Sequence, residues 1–270
     1  MYDFYFGTKK EISEDEEKYL ISIKRMLPKW MNSIPDSEFL ALHRVAETGE
    51  RQSPVFAETG LGASTIVLLF NAIKKGGVLY SWDTNSEKAS QIRTVCTETI
   101  CKYFECDINK HWKVVNYFST SPYAGLSVLS ELNLKIDLFF HDSEHVLDVI
   151  LDELDVVSTV MASDGIICMD DANYSFKHTN TAYINIVRKK LGLSAIEELQ
   201  GNSSDDFYIE VEKYLREKFS SVVKIDDTYK SEYQNDIFFK YFNNEFQIKA
   251  DLKMENSESL QHRFDAWRVS

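Results

Sequence analysis

Residues 55–64 read VFAETGLGAS: an apolar run, then two glycines, then the start of a second apolar run. The first run predicts a short buried strand and the second predicts a helix. Glycine at positions 60 and 62 lets the backbone turn sharply and approach a ligand closely. A nicotinamide-binding turn usually carries a third glycine three residues after the second. Thr65 stands there instead, which disfavours a bound pyrophosphate, and the carboxylate of Glu58 suits an ammonium group better than a phosphate.

Apolar runs continue to alternate with helical patterns after this turn. Four more strands are predicted, at Val78–Trp82, Lys113–Phe118, Lys135–Phe140 and Gly165–Met169. Near-continuous apolar strands that alternate with helices are typical of a parallel sheet covered by helices on both faces. The sequence therefore predicts an α/β fold, a Rossmann-like doubly wound sheet.

Two helices are expected before this sheet. The first is predicted over Ser13–Met26, because Ser13 and Glu16 have capping-box spacing and an apolar stripe follows them. Pro28 would end it, and the second helix would begin after Asp36.

The end of the chain offers a closing hairpin, with Val222–Ile225 and Asp236–Tyr241 as its strands across a polar turn. No linker-like composition divides the chain, so one domain is the economical interpretation. We expect a helical segment over residues 1–50 packed on a catalytic domain over residues 51–242. Residues 243–270 are expected to form a tail of the same domain.

The composition narrows the class of protein. The chain has 270 residues, 44% of them hydrophobic, and a formal net charge of −13, which disfavours binding to a nucleic-acid backbone. Its four cysteines form no CxxC pair, so reduced cytosolic thiols are expected. No signal peptide and no apolar run of about 18 residues is evident, so we expect a cytoplasmic protein with no membrane partner. Whether it forms a homo-oligomer is left open.

Asp83 directly follows the second predicted strand. A carboxylate at this point can accept hydrogen bonds from both hydroxyls of a ribose. The alternative is a loop aspartate that caps the following helix. Because it comes after the glycine turn, we favour the ribose.

Three aspartates follow the fourth and fifth predicted strands: Asp142, Asp170 and Asp171. The ends of neighbouring parallel strands lie side by side, so these carboxylates would repel one another unless a cation or protons intervene. Magnesium, manganese and calcium suit such oxygen ligands. The alternative is that Asp142 or Asp171 only caps the next helix.

His145 lies three residues after Asp142, where a helix is expected to begin. Near the ligand edge, a histidine can act as a general base at neutral pH. The alternative is a helix-start histidine that packs on a neighbour.

These motifs together resemble a known family over about 120 residues. The run from Val55 to Asp171 is similar to class I S-adenosylmethionine-dependent methyltransferases. Within it, FFHDSEH at 139–145 and SDGIICMDD at 163–171 resemble a bacterial group that contains macrocin O-methyltransferase and the cephalosporin-hydroxylase-like proteins. Catechol O-methyltransferase resembles the chain more distantly at the same acidic positions.

The resemblance implies a seven-stranded sheet with its last strand antiparallel. It implies that S-adenosylmethionine is held by Glu58, Gly60, Gly62 and Ser64 at the methionine part, by Asp83 at the ribose, and by Ser119 after the third strand. It implies a Mg²⁺ ion, or Mn²⁺ or Ca²⁺, on Asp142, Asp170 and Asp171, with His145 and Asp142 as the catalytic pair.

The function that follows is O-methylation of a small molecule, assisted by a divalent metal. Two alternatives remain: a reductase that binds NAD(P) on the same kind of sheet, and a catalytically silent cofactor-binding or interaction protein.

Overall fold

The computed structural model describes residues 5–170, 184–185, 188–197, 207–225 and 265–270. Within these ranges, seven strands form one sheet: β1 Val55–Thr59, β2 Val78–Trp82, β3 Trp112–Val115, β4 Ile136–His141, β5 Met161–Met169, β6 Val222–Lys224 and β7 Asp265–Val269. The helices of the same ranges are α1 Lys9–Glu14, α2 Glu16–Lys24, α3 Asp36–Glu47, α4 Ala63–Lys74, α5 Ser86–Glu98, α6 Ile100–Phe104, α7 Ile108–His111, α8 Val128–Glu131, α9 Leu147–Val160 and α10 Phe207–Lys218. A short 3₁₀ helix spans Lys29–Met31.

The strand order is β3-β2-β1-β4-β5-β7-β6. Neighbours from β3 to β5 run parallel, whereas β7 is antiparallel to both β5 and β6. This confirms the predicted Rossmann-like sheet with a reversed last strand. The strand order changes direction between β1 and β4, and ligands of such sheets bind beside the carboxyl ends of the strands at this point.

The seventh strand comes from the extreme end of the described chain, Asp265–Val269. The hairpin expectation is confirmed for β6, which begins at Val222, but the strand that pairs with β6 here is β7. The proposed partner, Asp236–Tyr241, lies outside the described residues. The polar tail hides β7 in the sequence, since the strand is only five residues long, and the buried Trp267 acquires its neighbours only in the assembled sheet.

The N-terminal helix prediction is wrong in its start and its cap. Two helices, α1 and α2, replace the single one, and Ser13 lies inside α1, where its hydroxyl donates to the carbonyl of Lys10 at 2.8 Å. The capping box is made by Thr8 and Glu11, whose carboxylate accepts the Thr8 amide at 2.8 Å. Asp15 caps α2. Thr8 with Glu11 and Ser13 with Glu16 both have capping-box spacing. Spacing alone therefore cannot tell which pair begins a helix.

Other boundaries moved by a few residues. β1 continues through Thr59, two residues beyond the apolar run Val55–Ala57 that predicts it, and β3 runs over Trp112–Val115, so it ends before the predicted Phe118. The pattern of Ser86–Tyr103 predicts one helix, which the structure divides at Thr99 into α5 and α6. Element ends are decided by neighbouring strands and caps more than by apolar pattern.

The core has two layers, one on each face of the sheet. Helices α1 to α7 pack on one face, and α8 to α10 pack on the other. The N-terminal helices are part of the first layer, because Tyr19 of α2 packs against Phe70 of α4 with ring centroids 6.2 Å apart. None of the helices in the described ranges is long and apolar enough to cross a membrane.

Replacing Trp267 with alanine tests the position of β7. The side chain is fully buried, and truncating such a residue usually costs about 3–5 kcal/mol of the free energy of unfolding. Denaturant unfolding of Trp267→Ala measures the loss. Tyr123→Ala is the control, since Tyr123 is 90% exposed and should cost almost nothing. Equal stabilities of the two variants would contradict an internal β7.

Candidate active site

The glycine turn joins three strand ends at one edge of the sheet. Gly60 has φ +85°, and a Cβ atom there would lie 1.8 Å from the carbonyl oxygen of Asp142. Its amide donates to the carbonyl of Trp82 at 2.9 Å, and the amide of Asp142 donates to Thr59 at 2.8 Å. A side chain at position 60 would therefore push β1 and β4 apart.

The second half of the turn starts α4. The amide of Gly62 donates to the hydroxyl of Thr65 at 3.2 Å, so the threonine found in place of a third glycine has a structural role. The carbonyl of Met31, in the 3₁₀ helix, would lie 3.5 Å from a Cβ at position 62. The N-terminal segment thus reaches the glycine turn.

Glu58 lies inside β1, and its carboxylate is fully buried. Its oxygens accept hydrogen bonds from Ser81 at 2.6 Å and from Ser64 at 3.3 Å. Burial raises the pKa of Glu58 to about 7, although the hydrogen bonds from Ser81, Thr65 and Ser64 lower it. The structure places Glu58 and Ser64 together beneath the turn, with the carboxylate held by hydroxyl groups.

Asp83 follows β2 and supports the turn from the side. Its Oδ2 accepts the amide of Leu61 at 2.9 Å and the ammonium of Lys88 at 3.2 Å, and its Oδ1 accepts the amide of Asn85 at 2.7 Å. The cap of α5 is Asn85, whose side chain accepts two amides of the first turn. The alternative that Asp83 itself caps this helix is therefore wrong.

Asp142, His145 and Asp170 form a cluster at the ends of β4 and β5. One ligand-type atom from each lies within 4.8 Å of the other two. His145 Nε2 is 3.8 Å from Asp142 Oδ1. The amide of Asp170 donates to the carbonyl of His141 at 3.0 Å, which fixes Asp170 beside β4. Asp171, the third predicted ligand, lies outside the described residues.

One oxygen of this cluster has no partner among the residues that the structure describes. Asp170 is 7% exposed, and its Oδ1 is buried with no hydrogen bond from any described residue. A buried polar atom without a partner costs free energy, and a bound cation is one way to satisfy a carboxylate oxygen. The two carboxylates, Asp142 and Asp170, therefore fit a divalent cation.

Sequence reasoning missed Glu153, which is fully buried in α9. Its carboxylate accepts hydrogen bonds from Thr59, Ser119, His141 and Ser143. Burial pushes the pKa of Glu153 upward, but the hydrogen bonds from His141, Ser119 and Ser143 outweigh it and hold the pKa below its usual value. The available signal was an acid three residues after Ile150, inside the apolar stripe of the helix.

A second group of acids and histidine, far along the sequence from this edge, is structural. The ammonium of Lys74 lies 2.6 Å from Glu16 and 2.8 Å from Glu47, so it forms an ion pair with each of them. The amide of Asn71 donates to Nδ1 of His43 at 3.0 Å, which leaves the proton on Nε2, facing the carboxylates. Such a protonated nitrogen cannot ligate a metal.

Comparison with known proteins agrees with this geometry. Residues 57–172 match a family model described as a methyltransferase domain. The matched segment contains the glycine turn, Asp83 and the acid-bearing ends of β4 and β5. A comparison with curated proteins found no match.

Among solved structures, the chain is similar to the O-methyltransferase from Bacillus cereus in complex with SAH, at 14% identity and TM-score 0.45, over 83% of this chain and 92% of that one. It is similar to geranyl diphosphate methyltransferase in complex with SAM, at 10% identity and TM-score 0.45, over 93% and 88%. It is also similar to the ribosomal protein L11 methylase from Lactobacillus delbrueckii subsp. bulgaricus, at 12% identity and TM-score 0.39, over 85% and 76%.

The strand order agrees with this match, so the segment 57–172 forms a methyltransferase domain. The chain therefore carries a domain of the S-adenosylmethionine-dependent methyltransferase type. The match favours this assignment over the NAD(P)-dependent reductase and over a catalytically silent protein.

Glu58→Gln should change how stability depends on pH. The pKa of Glu58 is about 7 in the folded chain, against 4.5 for an ordinary glutamate, so folding favours its protonated form. The stability that this preference contributes is complete below pH 4.5 and is lost as the pH rises to about 7. Between pH 5 and 7 the wild type should lose roughly 1–3 kcal/mol more than the glutamine variant. Urea unfolding at pH 5, 6 and 7 measures this, and parallel profiles would contradict the raised pKa.

Proposed function

We propose that this methyltransferase methylates an oxygen atom of a small molecule and that a divalent cation assists. The observation that carries the proposal is the cluster of Asp142, His145 and Asp170, with its buried, unpaired Asp170 Oδ1 among the described residues. Transfer to a hydroxyl requires the removal of a proton, and the cluster provides a base beside carboxylates at the ligand edge. The net charge of −13 favours a small molecule over a nucleic acid as the methyl acceptor.

The cofactor S-adenosylmethionine supplies a methyl group activated on a sulfonium. In the proposed complex its methionine part lies over the glycine turn, where the absence of a side chain at Gly60 permits close approach. Glu58 and Ser64 support that turn from below, Asp83 binds the ribose, and Ser119 lies beside the adenine. Since Asp83 also holds the amide of Leu61, it would link the ribose to the turn directly.

The proposed metal ligands are Asp142, Asp170 and Asp171. A Mg²⁺ ion, or Mn²⁺ or Ca²⁺, bound there would lower the pKa of the acceptor hydroxyl. His145 is the proposed base: its ring is 37% exposed, so its Nε2 is accessible to an acceptor, and Asp142 lies close enough to stabilise the positive charge that it gains. The chain then contributes mainly orientation of the two reactants and placement of charge.

The cofactor assignment predicts that S-adenosylhomocysteine raises the melting temperature, because a ligand that binds only the folded state stabilises it. NADH should leave it unchanged. Asp83→Ala should weaken binding of S-adenosylhomocysteine by about 1–3 kcal/mol, the cost of lost hydrogen bonds to a charged group. Glu131→Ala, which removes an exposed acid in α8, is the matched control. A thermal shift with NADH and none with S-adenosylhomocysteine would refute the assignment.

The metal assignment predicts that Mn²⁺ binds to the wild type in the presence of S-adenosylhomocysteine, as measured by calorimetry. Asp142→Asn should weaken this binding by about a hundredfold, because even residues that only orient metal ligands contribute 10–100-fold. Asp148→Asn changes an exposed acid in the first turn of α9 and should bind Mn²⁺ like the wild type. Equal Mn²⁺ affinity in Asp142→Asn and the wild type would remove the metal from the proposal.

A further inference from the structure

Glu153 is a carboxylate placed where α9 otherwise buries apolar side chains. Its neighbours on the same helix face, Ile150, Leu154 and Val157, belong to the core between α9 and the sheet. Glu153 is as buried as they are, at 0% exposure. A whole buried network of this kind can often be replaced by apolar residues with no loss of stability, so core stability alone does not account for the presence of a buried carboxylate and its donors.

The hydrogen bonds of Glu153 join α9 to three other segments of the chain. Oε2 accepts from the Thr59 hydroxyl at 2.8 Å and from His141 Nδ1 at 2.7 Å, on neighbouring residues of β1 and β4. Oε1 accepts from the Ser143 hydroxyl at 2.8 Å and from the Ser119 hydroxyl. All four donors lie at the carboxyl edge of the sheet.

Two of these donors lie in loops that the proposed site uses. Ser119 belongs to the loop after β3, which is also attached to β2 because Trp82 Nε1 donates to the carbonyl of Ala124 at 3.0 Å. Ser143 lies between Asp142 and His145, in the loop that carries the proposed base. The Glu153 carboxylate therefore sets the position of the loop after β3, which contains Ser119, relative to the loop after β4, which contains Ser143. We call these two segments the cofactor-side loop and the acid-side loop.

Glu153 also determines which ring nitrogen of His141 carries the proton. A carboxylate accepts but does not donate, so the proton of a neutral His141 resides on Nδ1 and its Nε2 is a hydrogen-bond acceptor. This Nε2 is buried, and no group in the described part of the chain bonds to it. The ring of His145 packs edge-on against that of His141, with centroids 6.0 Å apart.

We propose that Glu153 is a positioning residue of the methyl-transfer site: it holds the loops after β3 and β4 in one arrangement and fixes His141 as the Nδ1–H tautomer. The inference rests on the proposed function, since it assigns the cofactor to these loops. It adds a residue that touches neither reactant and acts through Ser119, Ser143 and His141.

The test is binding of S-adenosylhomocysteine to Glu153→Gln, measured by calorimetry at a temperature where circular dichroism shows the variant folded. The amide keeps the shape of the side chain, but one of its two polar atoms is now an NH₂ group. That group cannot accept the hydrogen bonds that the hydroxyls and His141 donate to the carboxylate. The dissociation constant should rise about tenfold or more, since small displacements of positioned groups have effects of this size or larger.

Two variants of the same helix serve as controls. Val157→Ala removes a fully buried apolar side chain, so it should lower the melting temperature without changing the dissociation constant. Asp155→Asn removes an exposed acid, which pairs with Lys218, and should change neither quantity appreciably. An equal rise in the dissociation constant for Val157→Ala would show that Glu153 acts only through general stability, and would overturn the inference.

Ser143→Ala provides a second route if Glu153→Gln does not fold. It leaves the buried carboxylate in place and releases only the acid-side loop, so the dissociation constant should rise about threefold or more. Two-bond ¹H–¹⁵N spectra add a direct readout: His141, assigned by its absence in His141→Gln, should show an unprotonated Nε2 in the wild type. A protonated Nε2 would overturn the tautomer assignment.

Wild-type affinity in folded Glu153→Gln, together with wild-type affinity in Ser143→Ala, would overturn this inference alone. A wild type that does not bind S-adenosylhomocysteine would overturn the proposed function and this inference with it. The two failures are therefore distinguishable.

Discussion

The contact between Gly60 and the carbonyl of Asp142 constrains everything at the carboxyl edge of the sheet. A Cβ at position 60 would lie 1.8 Å from that oxygen, so β1 and β4 can be neighbours at this height only if residue 60 has no side chain. The order of strands changes direction between these two strands, which opens the crevice used for ligands. The same contact brings the glycine turn next to the cluster of Asp142, His145 and Asp170.

Two buried carboxylates support this edge from opposite faces of the sheet. Glu58 points to the face covered by α4 and is held by Ser64 and Ser81, whereas the next residue, Thr59, points to the other face and donates to Glu153. Alternation along β1 explains this division, because successive side chains of a strand lie on opposite faces. Burying each carboxylate costs stability in the core, and its hydrogen bonds fix the geometry at the place where the proposed reactants meet.

Site residues that directly follow a strand could be predicted from the sequence. The site residue that α9 contributes could not. Asp142 and Asp170 could be placed at one edge from the parallel strands alone, and the structure brings them together with His145. Glu153 could not, because its partners come from three segments that only folding assembles. Ser119 was expected beside the cofactor, and its bond to Glu153 depends on the path of the loop after β3.

The sequence by itself determined the parallel sheet, the glycine turn and the residues at the strand ends. These features follow from local periodicity and from the direction in which parallel strands end. Only the tertiary structure decided that residues 265–269 enter the sheet between β5 and β6, and that one acid of α9 joins the loops of the site. A five-residue strand and a single buried acid carry too little local pattern, because their stability comes from neighbours distant in the chain.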